Sequence, residues 1–131
     1  MFREDCWFVY GMKVGSLYVG RCVHHSQGSA GGVDFDWELA WKKKPIGWFH
    51  SHPGEKFTQP SSTDHKTMRS WVRAFGRPVL CGISCGTDFE CYEYSLADKD
   101  GTVVYRPMGC KFYWDYIVVS PVKDVEERIS Q

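Results

Sequence analysis

Along the chain, apolar and polar positions alternate in short bursts separated by glycine and proline. Residues 6–10 (Cys-Trp-Phe-Val-Tyr) form an apolar run that Gly11 breaks, and residues 16–24 (Ser-Leu-Tyr-Val-Gly-Arg-Cys-Val-His) alternate at the two-residue period of a strand. Ser26 to Gly32 reads as a Gly/Ser loop. Asp34 to Lys44 sets Phe35, Leu39 and Trp41 among charges, a weak pattern for a short helix that Pro45 ends. Residues 48–52 predict a strand running out into a polar loop. Met68, Trp71, Val72 and Phe75 recur at helical spacing, with Ser61 or Ser62 as N-cap, Asp64 in the first turn and Gly76 as the stop.

Beyond that helix, residues 78–85, 89–96 and 102–107 predict strands, divided by the turn-forming Gly86-Thr87-Asp88 and Asp98-Lys99-Asp100-Gly101. Lys111 to Val119 predicts one more strand, and the polar stretch 124–128 a frayed helix. Together these elements predict a single α+β domain over residues 1–131, built on one mostly antiparallel sheet, with 121–131 a polar C-terminal tail.

Composition narrows the function classes. The chain has 131 residues, 43% hydrophobic and 16% aromatic, which is enough for one core and argues against disorder. Sixteen basic residues balance sixteen acidic ones, so no phosphate-binding surface and no nucleic-acid partner are expected. No apolar run approaches the roughly 18 residues of a membrane helix. The first residues lack a signal-peptide core, so the cytoplasm is the expected compartment and no membrane partner is implied. The six cysteines contain no CxxC pair, and Cys81 and Cys85, four apart on a predicted strand, would sit roughly 13 Å apart. Buried reduced thiols are the expected state.

The stretch that carries chemistry is Gly-Trp-Phe-His-Ser-His-Pro-Gly at 47–54, followed by Ser61-Ser62-Thr63-Asp64. Residues two apart on a strand face the same side, so His50 and His52 present two imidazoles to one point. Asp64, at the start of the following helix, is the candidate third ligand. Two histidines and a carboxylate, with a fourth position open, form a catalytic rather than a structural zinc set, and zinc brings the pKa of its water towards about 7. Ser61, three residues before Asp64, can offer a hydroxyl to an oxyanion, or can serve only as N-cap. A general base is also required, and Glu55 and Glu38 are local carboxylates. His65 is expected to face solvent or to lie behind the ligands, and His24-His25 to sit at a polar strand end.

His50-x-His52-Pro53 with Ser61-x-x-Asp64 resembles the signature of the JAMM (MPN+, JAB-domain) zinc metalloproteases. Glu4-Asp5-Cys6-Trp7-Phe8-Val9-Tyr10-Gly11 is similar to the motif that opens with that family's catalytic glutamate, with Trp7 in place of its first glycine. The resemblance covers roughly residues 4–96 and names Glu4 as general base ahead of Glu38 and Glu55. It implies a curved, mostly antiparallel sheet flanked by helices, of cytidine-deaminase-like architecture, and one zinc per chain. It further implies a short prokaryotic-type peptidase or isopeptidase that cuts after the tail of a ubiquitin-like or sulfur-carrier-like protein. Family members usually carry a helix before this glutamate, so either the chain is truncated there or another subunit or segment is expected to cover that surface. The alternatives are a non-catalytic interaction module of the same fold, and a peptidase that processes a phage or cell-wall component.

Overall fold

The computed structural model describes residues 3–29, 42–52, 58–122 and 127–128. In chain order the elements are β1 (Arg3–Val14), β2 (Leu17–Ser29), β3 (Gly47–Ser51), α1 (Ser62–Phe75), β4 (Val79–Cys85), β5 (Asp88–Leu96), β6 (Val103–Phe112), β7 (Ile117–Pro121) and the two-residue β8 (Glu127–Arg128). The strand order is β5-β4-β3-β1-β2-β7-β6, and β6 pairs back onto β5, which closes seven strands into a barrel. β8 pairs with β6 at Val104 and Tyr105.

This overturns the expected α+β sheet flanked by helices. Over the described residues the protein is mainly β, and the helix α1 packs on one outer face of a closed barrel. Two local features make the difference. Lys111 to Val119 is not one strand: Lys111 and Phe112 end β6, and the chain reverses, with the Tyr113 N–H donating to the Tyr116 carbonyl at 2.8 Å. The returning β7 then pairs with β2 and seals the ring. Gly11 is no breaker either. It pairs with Gly20 inside the β1–β2 ladder, where a Cβ on Gly11 would lie 2.0 Å from the Val19 carbonyl oxygen. Only glycine permits that approach, so β1 runs on to Val14.

Smaller corrections follow the same logic. Ser26 to Ser29 belong to β2 rather than to a loop, and Glu127–Arg128 bridge to β6 rather than fraying as a helix. The expected helix over 34–44 lies mostly outside the described residues, although Lys42 and Lys43 are helical.

Side-chain alternation splits the core in two. Every barrel strand sends at least one residue into an inner cluster that includes Val9, Tyr18, Phe49, Leu80, Cys91, Met108 and Val119. The opposite faces of β1, β3, β4 and β5 form an outer cluster with Met68, Trp71 and Val72 of α1. Burying Met68 and Val72 contributes about 1.5–3 kcal/mol each. Gly76 ends the helix in the left-handed conformation at φ 67°, as expected.

All ladders are antiparallel except β3–β4. Parallel neighbours need a crossover, and α1 supplies it. That connection sets the helix N-terminus beside the carboxyl end of β3.

Candidate metal centre

His50 stands near the end of β3, between Cys6 of β1 and Ile83 of β4. Trp48, two residues earlier on the same face, stacks on it with ring centroids 3.8 Å apart and planes 10° from parallel. The Trp48 indole N–H donates to Cys6 Sγ at 2.9 Å, which fixes the indole in turn. His52 lies just past the strand, and its backbone N–H donates to the Ser84 carbonyl at 2.9 Å. β4 therefore holds the chain straight for the two residues that bring both imidazoles to one side.

Asp64 reaches the same point from α1. Its N–H donates to Ser61 Oγ (3.1 Å), and the Ser61 N–H donates to Asp64 Oδ2 (2.9 Å), a reciprocal capping box. The cap thus orients the carboxylate as well as starting the helix. Asp64 Oδ1 lies 3.0 Å from His50 Nε2, and Oδ2 lies 3.1 Å from His52 Nε2. The two Nε2 atoms are 3.2 Å apart. All three residues are buried, and together with Glu93 they are the buried polar or charged side chains among the described residues.

This donor set fits a small divalent cation. Zinc binds imidazole nitrogen at about 2.0–2.1 Å, so neighbouring tetrahedral ligands stand about 3.3 Å apart. The observed 3.0–3.2 Å needs an opening of a few tenths of an ångström. The protonation states favour it too. Burial pushes the His50 imidazole below its ordinary range, against the pull of Asp64, and so favours the neutral ring. Burial alone would raise the Asp64 carboxyl, but hydrogen bonds from His50, His52 and the Ser61 backbone outweigh it and hold the group well below the usual carboxylate range. Nδ1 of His50 is buried and meets no hydrogen-bond partner among the described residues, so the Trp48 ring orients this imidazole.

The predicted ligands His50, His52 and Asp64 are thus brought together. Ser61 is the N-cap, not Ser62, and it is exposed; its hydroxyl oxygen accepts from Asp64, which leaves the hydroxyl proton to donate elsewhere. Glu4 sits on β1 opposite Gly28, two residues before the Cys6 that pairs with His50. Its side chain lies outside the described residues, as do Glu38, Pro53 and Glu55. His65 does not face solvent: it is half-buried, with Nδ1 2.9 Å from the Tyr94 hydroxyl and its ring against Tyr105. His24 of β2 is exposed at 3.4 Å from Asp5. Cys6, Cys81 and Cys91 are the buried thiols, none of the six cysteines forms a disulfide, and Cys22 is exposed rather than buried.

Three supports escaped the sequence reading: the Trp48 stack, the Cys6 acceptor, and Tyr92, whose hydroxyl donates to the Thr58 carbonyl and ties down the approach to α1. Only the first had a signal, since Trp48 and His50 are two apart on a predicted strand. Among the described residues no helix is long and apolar enough to cross a membrane. No family model, curated protein or solved structure matches the chain.

Proposed function

We propose that the protein is a zinc-dependent hydrolase of peptide or isopeptide bonds, with His50, His52 and Asp64 as metal ligands. One observation carries the reading: three buried side chains meet, with each imidazole Nε2 at 3.0–3.1 Å from one Asp64 oxygen and the two Nε2 atoms 3.2 Å apart. A purely structural Asp–His cluster needs only one such contact, and burying three ionisable groups has a cost that a cation offsets. When bound, zinc supplies a water acidic enough to attack near neutral pH.

Glu4 is the proposed general base. It takes the proton of the attacking water and passes it to the amine as the C–N bond breaks. The β1 register supports this, since it brings position 4 to the strand end where His50 sits. Ser61 is the proposed hydroxyl donor to the tetrahedral oxyanion. The substrate class, the tail of a ubiquitin-like or sulfur-carrier-like protein, rests on the resemblance of the two motifs alone. A cytoplasmic setting is part of the proposal and fits six cysteines outside any disulfide.

The test is a pair of variants assayed on a ubiquitin-like fusion substrate. Glu4→Gln should keep zinc and lose turnover by about a hundredfold or more. His52→Ala should lose zinc and turnover together. Full activity in Glu4→Gln would return the base role to Glu38 or Glu55.

A further inference from the structure

The interior of the barrel is filled unevenly. At one end, Tyr18 donates to the buried Glu93 carboxylate, which also accepts from Arg106 Nε at 2.9 Å and lies 3.8 Å from Lys13 Nζ. The middle is packed by the inner apolar cluster. The other end holds a cavity of about 220 Å³.

Its walls are Trp7 of β1, Cys22 of β2, Phe49 of β3, Ser84 of β4, Phe89 of β5 and Phe112 of β6. Phe49 belongs to the inner cluster itself, and each of the other five shares its strand face with an inner-cluster residue two or four positions away: Val9, Tyr18, Leu80, Cys91 and Met108. Six strands therefore deliver inward-facing side chains to one level, and the antiparallel registers put that level at a single mouth. His50 also lines the cavity, so the mouth adjoins the candidate metal centre. Among the described residues the lining has four aromatic rings, with the His50 imidazole, the Cys22 thiol and the Ser84 hydroxyl as its polar groups and no lysine, arginine, aspartate or glutamate. The β6–β7 turn adds exposed Tyr113, Trp114 and Tyr116 above it.

We infer that this barrel mouth is a binding pocket for a small uncharged aromatic molecule of one or two fused rings. Barrel mouths with apolar walls and a few polar groups are common ligand sites. An apolar cavity of about 150 Å³ holds benzene, so this one has room for a bicyclic ring. Trp7, Phe49, Phe89 and Phe112 can meet such a ring edge-to-face, at the distances aromatic pairs prefer. The Cys22 thiol and Ser84 hydroxyl are left to fix its orientation. The inference does not rest on the proposed hydrolase activity, and the pocket needs no metal to form.

The test uses the full chain with indole as the probe, once with a chelator and once with zinc. Indole should shift the backbone amide resonances of Trp7, Cys22, Ser84 and Phe89 saturably in both conditions. It should also slow alkylation of Cys22, mapped by mass spectrometry. Ser84→Phe, which fills the cavity, should abolish the saturable shift in a chain that stays folded. If Ser84→Phe fails to fold, protection of wild-type Cys22 by indole decides alone. Absence of both saturation and Cys22 protection up to the solubility limit of indole would overturn the inference, as would an unchanged shift in a folded Ser84→Phe. A folded wild type that binds indole but takes up no zinc would count against the hydrolase reading only.

Discussion

Trp48 and His50 lie ring on ring, 3.8 Å apart and 10° from parallel, on the outer face of β3. A strand cannot avoid placing residues two apart on one side, and here that rule couples a core indole to the imidazole of a candidate metal ligand. Truncating the indole should therefore act twice. Trp48→Ala should cost about 3–5 kcal/mol of stability through the cavity it leaves. Trp48→Phe should keep the stack, lose the hydrogen bond to Cys6, and cost less. Urea midpoints of both variants, with and without zinc, check this; equal losses for the two would mean that stacking is not what holds His50.

Ser61 has a measurable capping role that can be separated from a catalytic one. Ser61→Ala should cost about 1 kcal/mol, because Asp64 loses the acceptor for its N–H, whereas Ser61→Gly should cost only a few tenths. If the hydroxyl also donates to an oxyanion, both variants should lose turnover alike despite their different stabilities. Thermal melts beside turnover rates on the two proteins distinguish the roles, and near-normal turnover in Ser61→Gly would leave Ser61 a cap alone.

Gly11 tests the barrel itself. A Cβ there would sit 2.0 Å from Val19 O and 2.6 Å from Gly20 Cα, both backbone atoms that cannot rotate away. Gly11→Ala should therefore destabilise by about 1–3 kcal/mol or more, an overpacking cost with no flexible neighbour to absorb it. Gly15→Ala, at φ 63° with open space around its Cβ position, meets only the backbone strain. Denaturant titration of the two checks the contrast, and a neutral Gly11→Ala would contradict the close β1–β2 approach.

Helix and site were legible in the sequence for local reasons. The spacing of Met68, Trp71, Val72 and Phe75, the Ser61 cap and the Gly76 stop are all written within one segment. So is the His50/His52 parity that, with Asp64, makes the cluster. The barrel was not legible, because closure depends on pairings between residues far apart, β5 with β6 and β2 with β7. The run from Lys111 to Val119 hides its reversal behind apolar and aromatic residues, with no glycine or proline to mark a turn. Gly11 reads as a breaker until its partner Gly20 is known. Trp7, Phe49, Phe89 and Phe112 carry no local mark of a pocket, since nothing local says that four strands aim them at one mouth.

The buried cluster should make the metal-free protein sensitive to acid. His50 is held below its ordinary range, so between its folded value and about 6.5 the unfolded chain takes up a proton that the native state refuses. Stability is therefore lost as pH falls below about 6.5. Asp64 is also depressed, so its contribution is present above about 4 and is lost as pH falls further. Both slopes have the same sign. Urea midpoints at pH 7, 5 and 3 should fall in that order, and Asp64→Asn should flatten the lower part of the curve. A midpoint that rises between pH 7 and pH 5 would contradict these assignments.

The central claim is that His50, His52 and Asp64 hold zinc. Elemental analysis of the purified chain after zinc addition and removal of the excess tests it most directly, with Asp64→Ala measured alongside. The account predicts about one zinc per wild-type chain and almost none in the variant. A folded wild type without zinc, or an Asp64→Ala protein that binds as much as the wild type, would contradict it.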